Sequence, residues 1–157
     1  MAVSIAVENP LNDEMRTLVA DLNAHLLSLT PREFCHHLTV EQMADASTTV
    51  FVGREENRIV ACGALKRHGD GVGEVKRMYT VPSHQGRGIG GAILSEIEAL
   101  ARREGITRLV LETGNNFAAA AHLYQRAGFW PCGPVLDYAP SPYTSFFEKT
   151  LSIGIPA

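Results

Sequence analysis

The sequence predicts an α/β (α+β) fold, with one mixed, mostly antiparallel central sheet of about six to seven strands flanked by helices. Three observations carry this expectation. β-rich runs at Thr48–Arg54, Arg58–Arg67 and Glu74–Val81 follow one another closely, apolar residues recur at helical spacing on both sides of that block, and strand and helix patterns alternate after Gly105. A chain of 157 residues can bury such a core without staples, so residues 1–157 are read as a single domain.

The elements follow in order. Ser4–Val7 alternates as a first strand, and Asn9-Pro10 breaks it. Leu11, Met15, Leu18, Leu22, Leu26 and Leu29 then form the apolar stripe of an amphipathic helix, which Thr30-Pro31 ends. Residues 31–46 read as a short helix and a loop. Thr48–Arg54 and Arg58–Arg67 flank the turn residues Glu55–Asn57 as an antiparallel hairpin, and the glycine-rich HGDGVG leads into a third consecutive strand, Glu74–Val81. From Gly88 onward, Ile89, Ile93, Ile97, Leu100 and Ala101 share one helical face, and Gly105 lies just past the last turn. Thr107–Glu112 reads as a strand, Phe117–Ala127 as a helix stopped by Gly128, and Ser145–Leu151 as the final strand, with room for one more in the proline-rich tail.

Composition narrows the function. Hydrophobic residues make up 45% and charged residues 20%, as in ordinary globular proteins, and the net charge of -3 provides no polyanion-binding face, so nucleic acid is excluded as a partner. No apolar run approaches the roughly 20 residues of a bilayer span, and the N-terminus lacks a basic start and a long apolar region. A cytoplasmic protein with no membrane partner is expected. Cys35, Cys62 and Cys132 are odd in number and form no C-x-x-C pair, and no two histidines have metal-ligand spacing on a helix, so no metal is expected.

The most informative stretch is SHQGRGIGG, which puts four glycines between Gly86 and Gly91 at a helix start. A helix beginning on glycines offers bare amides and the positive end of its dipole to an anion. Arg87 adds a fixed positive charge suited to a pyrophosphate. If the glycines only made a tight turn, those in helical backbone would cost about 1 kcal/mol each against alanine, so the ligand reading is preferred. No P-loop string exists. Gly86, Gly88 and Gly91 match the dinucleotide fingerprint formally, and Glu112 follows, but PSHQ separates them from the strand and the upstream strands meander.

Gln85, Gly88 and Gly90 also satisfy Q/R-x-x-G-x-G/A after a strand ending MYTVP, and LETG and LYQRAGF follow. In that order and spacing these motifs resemble the GNAT superfamily of N-acetyltransferases, over about Ser4–Leu151. The resemblance implies a sheet splayed after its fourth strand, with acetyl-CoA as co-substrate lying in the gap. It implies that the backbone of Met78, Tyr79 and Thr80 pairs with the pantetheine arm. The loop Gln85, Gly86, Arg87, Gly88, Ile89, Gly90 and Gly91 would hold the pyrophosphate. The family often has Asn seven residues before the helix tyrosine; here that position is Phe117, with Asn115 and Asn116 adjacent, and Asn116 is the candidate replacement. Dimers are common among relatives, so a homodimer is a possible assembly.

Acyl transfer to an amine needs a neutral nucleophile. A lysine-like amine, with pKa about 10.4, is roughly 3.4 units above neutral pH, so presenting it unprotonated costs about 4.6 kcal/mol. A carboxylate, a histidine or a water chain must take the proton. Glu74 is the first candidate base, because relatives use a glutamate on this strand; an ion pair with Lys76 or Arg77 is the equal alternative. Lys76 and Arg77, adjacent in a strand, are expected on opposite faces, with at least one under a helix and needing a carboxylate. Tyr124 shares a face with Ala120, Ala121 and Ala127, as a core aromatic would, whereas the resemblance makes it the hydrogen-bonding acid for the departing thiolate and a cofactor contact. His84 adjoins the phosphate loop, and His36 and His37 lie where the resemblance puts an acceptor wall. No covalent nucleophile is evident, so an amine acceptor, on a small molecule or peptide, would attack directly in a ternary complex. The alternative from another class is an acyl-CoA-sensing protein that does no chemistry.

Overall fold

The computed structural model describes residues 2–34, 38–115 and 118–151. Its strands are β1 (Ser4–Val7), β2 (Thr48–Glu55), β3 (Arg58–Gly69), β4 (Val72–Thr80), β5 (Arg108–Gly114), β6 (Trp130–Cys132) and β7 (Thr144–Thr150). They form one seven-stranded sheet in the order β1-β2-β3-β4-β5-β7-β6, antiparallel except for the β4–β5 pair. The helices are α1 (Asp13–Leu29), α2 (Val40–Met43), α3 (Ile89–Arg103) and α4 (Ala118–Arg126). No helix among the described residues is long and apolar enough to cross a membrane.

Local chemistry accounts for the element boundaries. Asn12 caps α1 by accepting from the Met15 amide at 2.8 Å. The β2–β3 turn is the residue pair Glu56-Asn57, with φ of 50° and 70°, and the β3–β4 turn is Asp70-Gly71, with φ of 54° and 76°. Both match the doubly left-handed turn whose twist suits a hairpin. Gly105 ends α3 in the left-handed region, and the Ile106 amide reaches back to the Ala101 carbonyl at 2.9 Å. Gly128 ends α4 in the same way, through the Phe129 amide and the Tyr124 carbonyl.

The sheet separates two cores. On one face Ile93, Leu94 and Ile97 of α3 pack on Leu65, Leu109 and Leu111, joined by Tyr124 from α4. On the other, Met15, Leu18 and Val19 of α1 pack on Val50, Val52, Cys62 and Ala64. A smaller cluster on that second face joins Val110 and Phe146 to Val135, with Tyr138 packed against it.

One irregularity shapes the centre of the sheet. The β3–β4 register runs Leu65↔Val75 and Ala64↔Lys76, then resumes at Cys62↔Tyr79, so Gly63 faces both Arg77 and Met78. Arg77 takes up the extra residue at φ 57°. Side-chain alternation breaks there. Lys76 and Arg77 point to the same side of the sheet, Lys76 to Tyr138 and Arg77 to Asn23 of α1, correcting the expectation of opposite faces.

Gly63 is required by this bulge for space: a Cβ there would lie 2.8 Å from Ile93 Cγ2 and closer still to Met78 Sδ. Gly63→Ala is therefore expected to lower the unfolding free energy by about 1–3 kcal/mol through overpacking. Urea denaturation checks this; unchanged stability would mean that α3 does not press on the bulge.

Candidate active site

The parallel β4–β5 ladder is short. It pairs Val72, Gly73 and Glu74 with Arg108, Leu109 and Val110, and there it stops. Beyond Glu74 the strands diverge, so β4 from Val75 to Thr80 pairs only with β3. The gap is a cleft of about 810 Å³, walled by both strands, the C-terminal half of α1, the Gln85–Gly91 turn and α4. The expected splay after the fourth strand is present, and it leaves the β4 main chain at Met78, Tyr79 and Thr80 facing an open edge.

The glycine-rich turn lies at one end of this cleft. Gly86 and Gly88 have φ of 79° and 78°, and a Cβ on either would meet nothing within 4 Å. These two glycines are thus selected by backbone conformation and are not helical, so the helical penalty applies only to Gly90 and Gly91. A Cβ on Gly90 would lie 3.4 Å from Leu123 Cδ2 of α4, an ordinary contact distance. Gly88 caps α3 with no side-chain bond, leaving the amides of Ile89, Gly90 and Gly91 without a partner among the described residues. The Ile89 side chain is buried in the core, so only its amide faces this turn. Uncapped amides at the start of a 15-residue helix suit an anion.

The side chains of the turn are held by β2 and β4. Arg87 Nη1 lies 3.3 Å from Glu55 Oε2, and His84 Nε2 lies 3.1 Å from Glu55 Oε1. The hydrogen bond from His84, with help from the Arg87 charge, holds the Glu55 carboxyl below its ordinary pKa. Gln85 Nε2 donates to the Thr80 carbonyl at 3.0 Å, tying the turn to the end of β4.

Glu74, at the point where the ladder fails, is 1% exposed and surrounded by partners. Oε1 lies 2.8 Å from His68 Nε2; Oε2 accepts from Lys76 Nζ at 3.1 Å and from the Tyr138 hydroxyl at 2.7 Å. Lys76 Nζ also lies 2.8 Å from the Tyr138 hydroxyl. Burial, and then the Glu74 carboxylate, push the Tyr138 phenol far above its usual pKa, so it stays a donor. The sequence paired Glu74 with Lys76 or Arg77 as alternatives, and Lys76 is the partner found. Neither His68 nor Tyr138 was foreseen.

Arg77 is 8% exposed and lines the cleft. Its Nη2 donates to Asn23 Oδ1, and its Nε is buried without a hydrogen-bond partner. Among the described residues no carboxylate reaches it, so the expectation that a cation under a helix finds an acidic partner holds for Lys76 and fails for Arg77. Tyr124, 6% exposed, packs edge-on against Phe129 at a centroid distance of 5.8 Å and also lines the cleft. Burial pushes its phenol well above the usual pKa. Its ring belongs to the core, and the residue also lines the cleft. Burial likewise pushes the Cys62 thiol up to about 12, which disfavours a thiolate there.

Asn115 is engaged with the segment that leads into β7. Its side-chain Nδ2 donates to the Pro142 carbonyl at 2.6 Å and its Oδ1 accepts from Ser145, pinning β5 to β7. Asn116, Phe117, His36, His37 and Cys35 lie outside the described residues. Among the described residues, no group of three or more His, Cys, Asp and Glu side chains comes together as a metal ion would require.

The chain is similar to known proteins in sequence and fold. A family model described as the acetyltransferase (GNAT) family matches residues 13–129. An IAA acetyltransferase of Azospirillum brasilense is 39% identical over 150 residues, covering 95% of this chain and 98% of the relative. An uncharacterized N-acetyltransferase of Bacillus subtilis is 36% identical over 141 residues, 87% of this chain and 93% of its own. A crystal structure from Klebsiella pneumoniae, provisionally called an acyl-CoA N-acyltransferase, superposes with a TM-score of 0.81 at 31% identity, covering 96% of this chain and 98% of that one. The PaiA N-acetyltransferase of Thermoplasma acidophilum, solved in complex with coenzyme A, shares the fold at a TM-score of 0.75 and 14% identity, over 96% of this chain and 100% of its own. The splayed sheet, the glycine turn and these matches together make the chain a member of the GNAT family of acetyltransferases, enzymes that carry an acetyl group from acetyl-CoA to an amine.

Proposed function

We propose that this chain catalyses direct attack of an acceptor amine on acetyl-CoA in a ternary complex, with Glu74 as general base and Tyr124 as hydrogen-bond donor to the departing sulfur. The observation that carries this reading is the early end of the β4–β5 ladder, because it puts Glu74, Tyr124 and the uncapped start of α3 on one cleft. Bound acetyl-CoA would supply a thioester carbonyl open to attack.

The residues divide the work. The amides of Ile89, Gly90 and Gly91, with the Gly86–Gly88 turn, cradle the diphosphate, and Arg87 adds charge at the rim. Met78, Tyr79 and Thr80 offer main-chain groups on the unpaired edge of β4 to an extended arm, as another strand would. Glu74 accepts the proton of the acceptor ammonium or of its water, and His68, with about a quarter of its side chain exposed, is an outlet for that proton toward solvent. Lys76 and Tyr138 hold the carboxylate in one position. Tyr124 keeps its own proton, because burial raises its pKa, and steadies charge as it builds on sulfur.

Among the described residues, a covalent route finds no support. Cys62 is fully buried with its pKa pushed up to about 12, and burial with the Glu148 carboxylate pushes Cys132 up to about 11.

Three outcomes are expected. Gly88→Ala puts a Cβ on a left-handed residue, at a strain of about 1–2 kcal/mol, and should weaken acetyl-CoA binding measured by calorimetry; undiminished affinity would mean that the turn does not hold the coenzyme. Tyr124→Phe should lower kcat roughly 10- to 100-fold. Because burial raises this phenol's pKa, the neutral donor persists as pH rises, so the ratio of wild-type to variant kcat should stay flat from about pH 7 to 10. A ratio that collapses within that range would remove Tyr124 from the donor role. Glu74→Gln should cost about 100-fold in kcat/KM at neutral pH. A carboxylate that served only as an ion-pair partner would instead lower the melting temperature and leave kcat/KM intact.

A further inference from the structure

Arg77 is the one buried cation in the cleft that neither the fold nor the chemistry above uses. It is 8% exposed, it lines the cleft, and its side-chain hydrogen bonds within the described residues come down to Nη2 donating to Asn23 Oδ1. Nε is buried with no partner. No carboxylate compensates it among the described residues. Lys76, the neighbouring residue, is treated quite differently, with Glu74 Oε2 at 3.1 Å. Charges taken out of water are paired unless something else supplies the partner. A guanidinium offers a planar fork that fits a carboxylate through two parallel N–H groups.

The position also selects the ligand. The bulge turns Arg77 onto the α1 side of the sheet, opposite the face on which α3 begins, and Leu22, His25, Leu26 and Leu29 of α1 complete that wall of the cleft. This side is away from the turn assigned to the diphosphate and near Glu74, three residues earlier on the same strand. An anion bound there would belong to the acceptor. We infer that Arg77 anchors a carboxylate of the acceptor, so that the amine acetylated by this enzyme belongs to an amino acid or another amine bearing an acid group. The inference rests on the acetyl-transfer reading above and narrows its substrate class. Asn23 is then a positioning residue, holding the guanidinium plane through Nη2 and leaving the rest of the fork for the ligand.

The test compares matched acceptors, each amino acid against its amide and its decarboxylated amine: glycine, β-alanine, 4-aminobutyrate and phenylalanine, with thiol release from acetyl-CoA as the readout. The acid member of the best pair should be preferred at least about tenfold in kcat/KM, with the difference in KM. Arg77→Gln should bring that preference within about twofold, Arg77→Lys should leave an intermediate value, and Asn23→Ala, on an exchangeable helix position, should raise KM for acids more than for amides while kcat holds. Equal use of acids and amides by the wild type, or a preference that survives Arg77→Gln, would overturn the inference while leaving acetyl transfer intact. Turnover of no amine at all would count against the acetyl-transfer reading instead. The Arg77 Nε–H resonance of the CoA-bound wild type, titrated with N-acetylglycine, N-acetylphenylalanine and their amides, decides the matter without turnover or variants: a shift with the acids alone supports the anchor, and no shift with any acid overturns it.

Discussion

The structure depends on the early failure of a single ladder of hydrogen bonds. β4 and β5 pair over three residues each, and a parallel pair that short holds the sheet together without closing it. Past Glu74 the main chain of β4 must find partners elsewhere or meet solvent and ligand. The bulge opposite Gly63 accompanies this divergence. One residue, Arg77, adopts a left-handed conformation, a cost on the order of 1–2 kcal/mol for a side chain with a Cβ. That cost is offset by the packing of Met78, Ile93 and Ile97 around the glycine, where the α3 face of the core is tightest. Strain of this kind, held by surrounding packing, is typical of functional sites.

The bulge has an electrostatic consequence. By bringing Lys76 and Arg77 to one side of the sheet, it places two cations side by side under the same layer of helix and loop. The fold resolves them unequally. Lys76 is drawn to Glu74 and to Tyr138, a residue from the loop before β7, making a nearly dry cluster in which each polar atom has a partner. Arg77 receives one amide oxygen and no acid. A protein interior that satisfies one cation fully and its neighbour incompletely has two differently prepared polar sites within a few residues, one with a carboxylate at hand, the other with a buried donor left unpaired.

At the other end of the cleft, Gly86 and Gly88 supply the left-handed backbone that swings the chain from the end of β4 into α3. The helix dipole and its uncapped amides follow from the absence of a side-chain cap at Gly88. Arg87 and His84 are steadied by Glu55 at the tip of the β2–β3 hairpin, so the meander that precedes the turn also orders its charges.

Local and periodic features were legible in the sequence by itself: the order of elements, the amphipathic stripes of α1 and α3, the glycines that stop α3 and α4, the glycine-rich turn that opens α3 and the family its motifs resemble. Each of these is written within a few adjacent residues, where φ preference and helical spacing act directly. Tertiary structure alone decided which way Lys76 and Arg77 point, because one left-handed residue cancels the alternation that sequence reasoning relies on. It decided that Glu74 meets Tyr138, 64 residues away, and that Asn115 is committed to the Pro142–Ser145 segment. Such contacts leave no periodic trace, since their energy arises from burial and charge pairing between segments that approach only when the sheet has assembled.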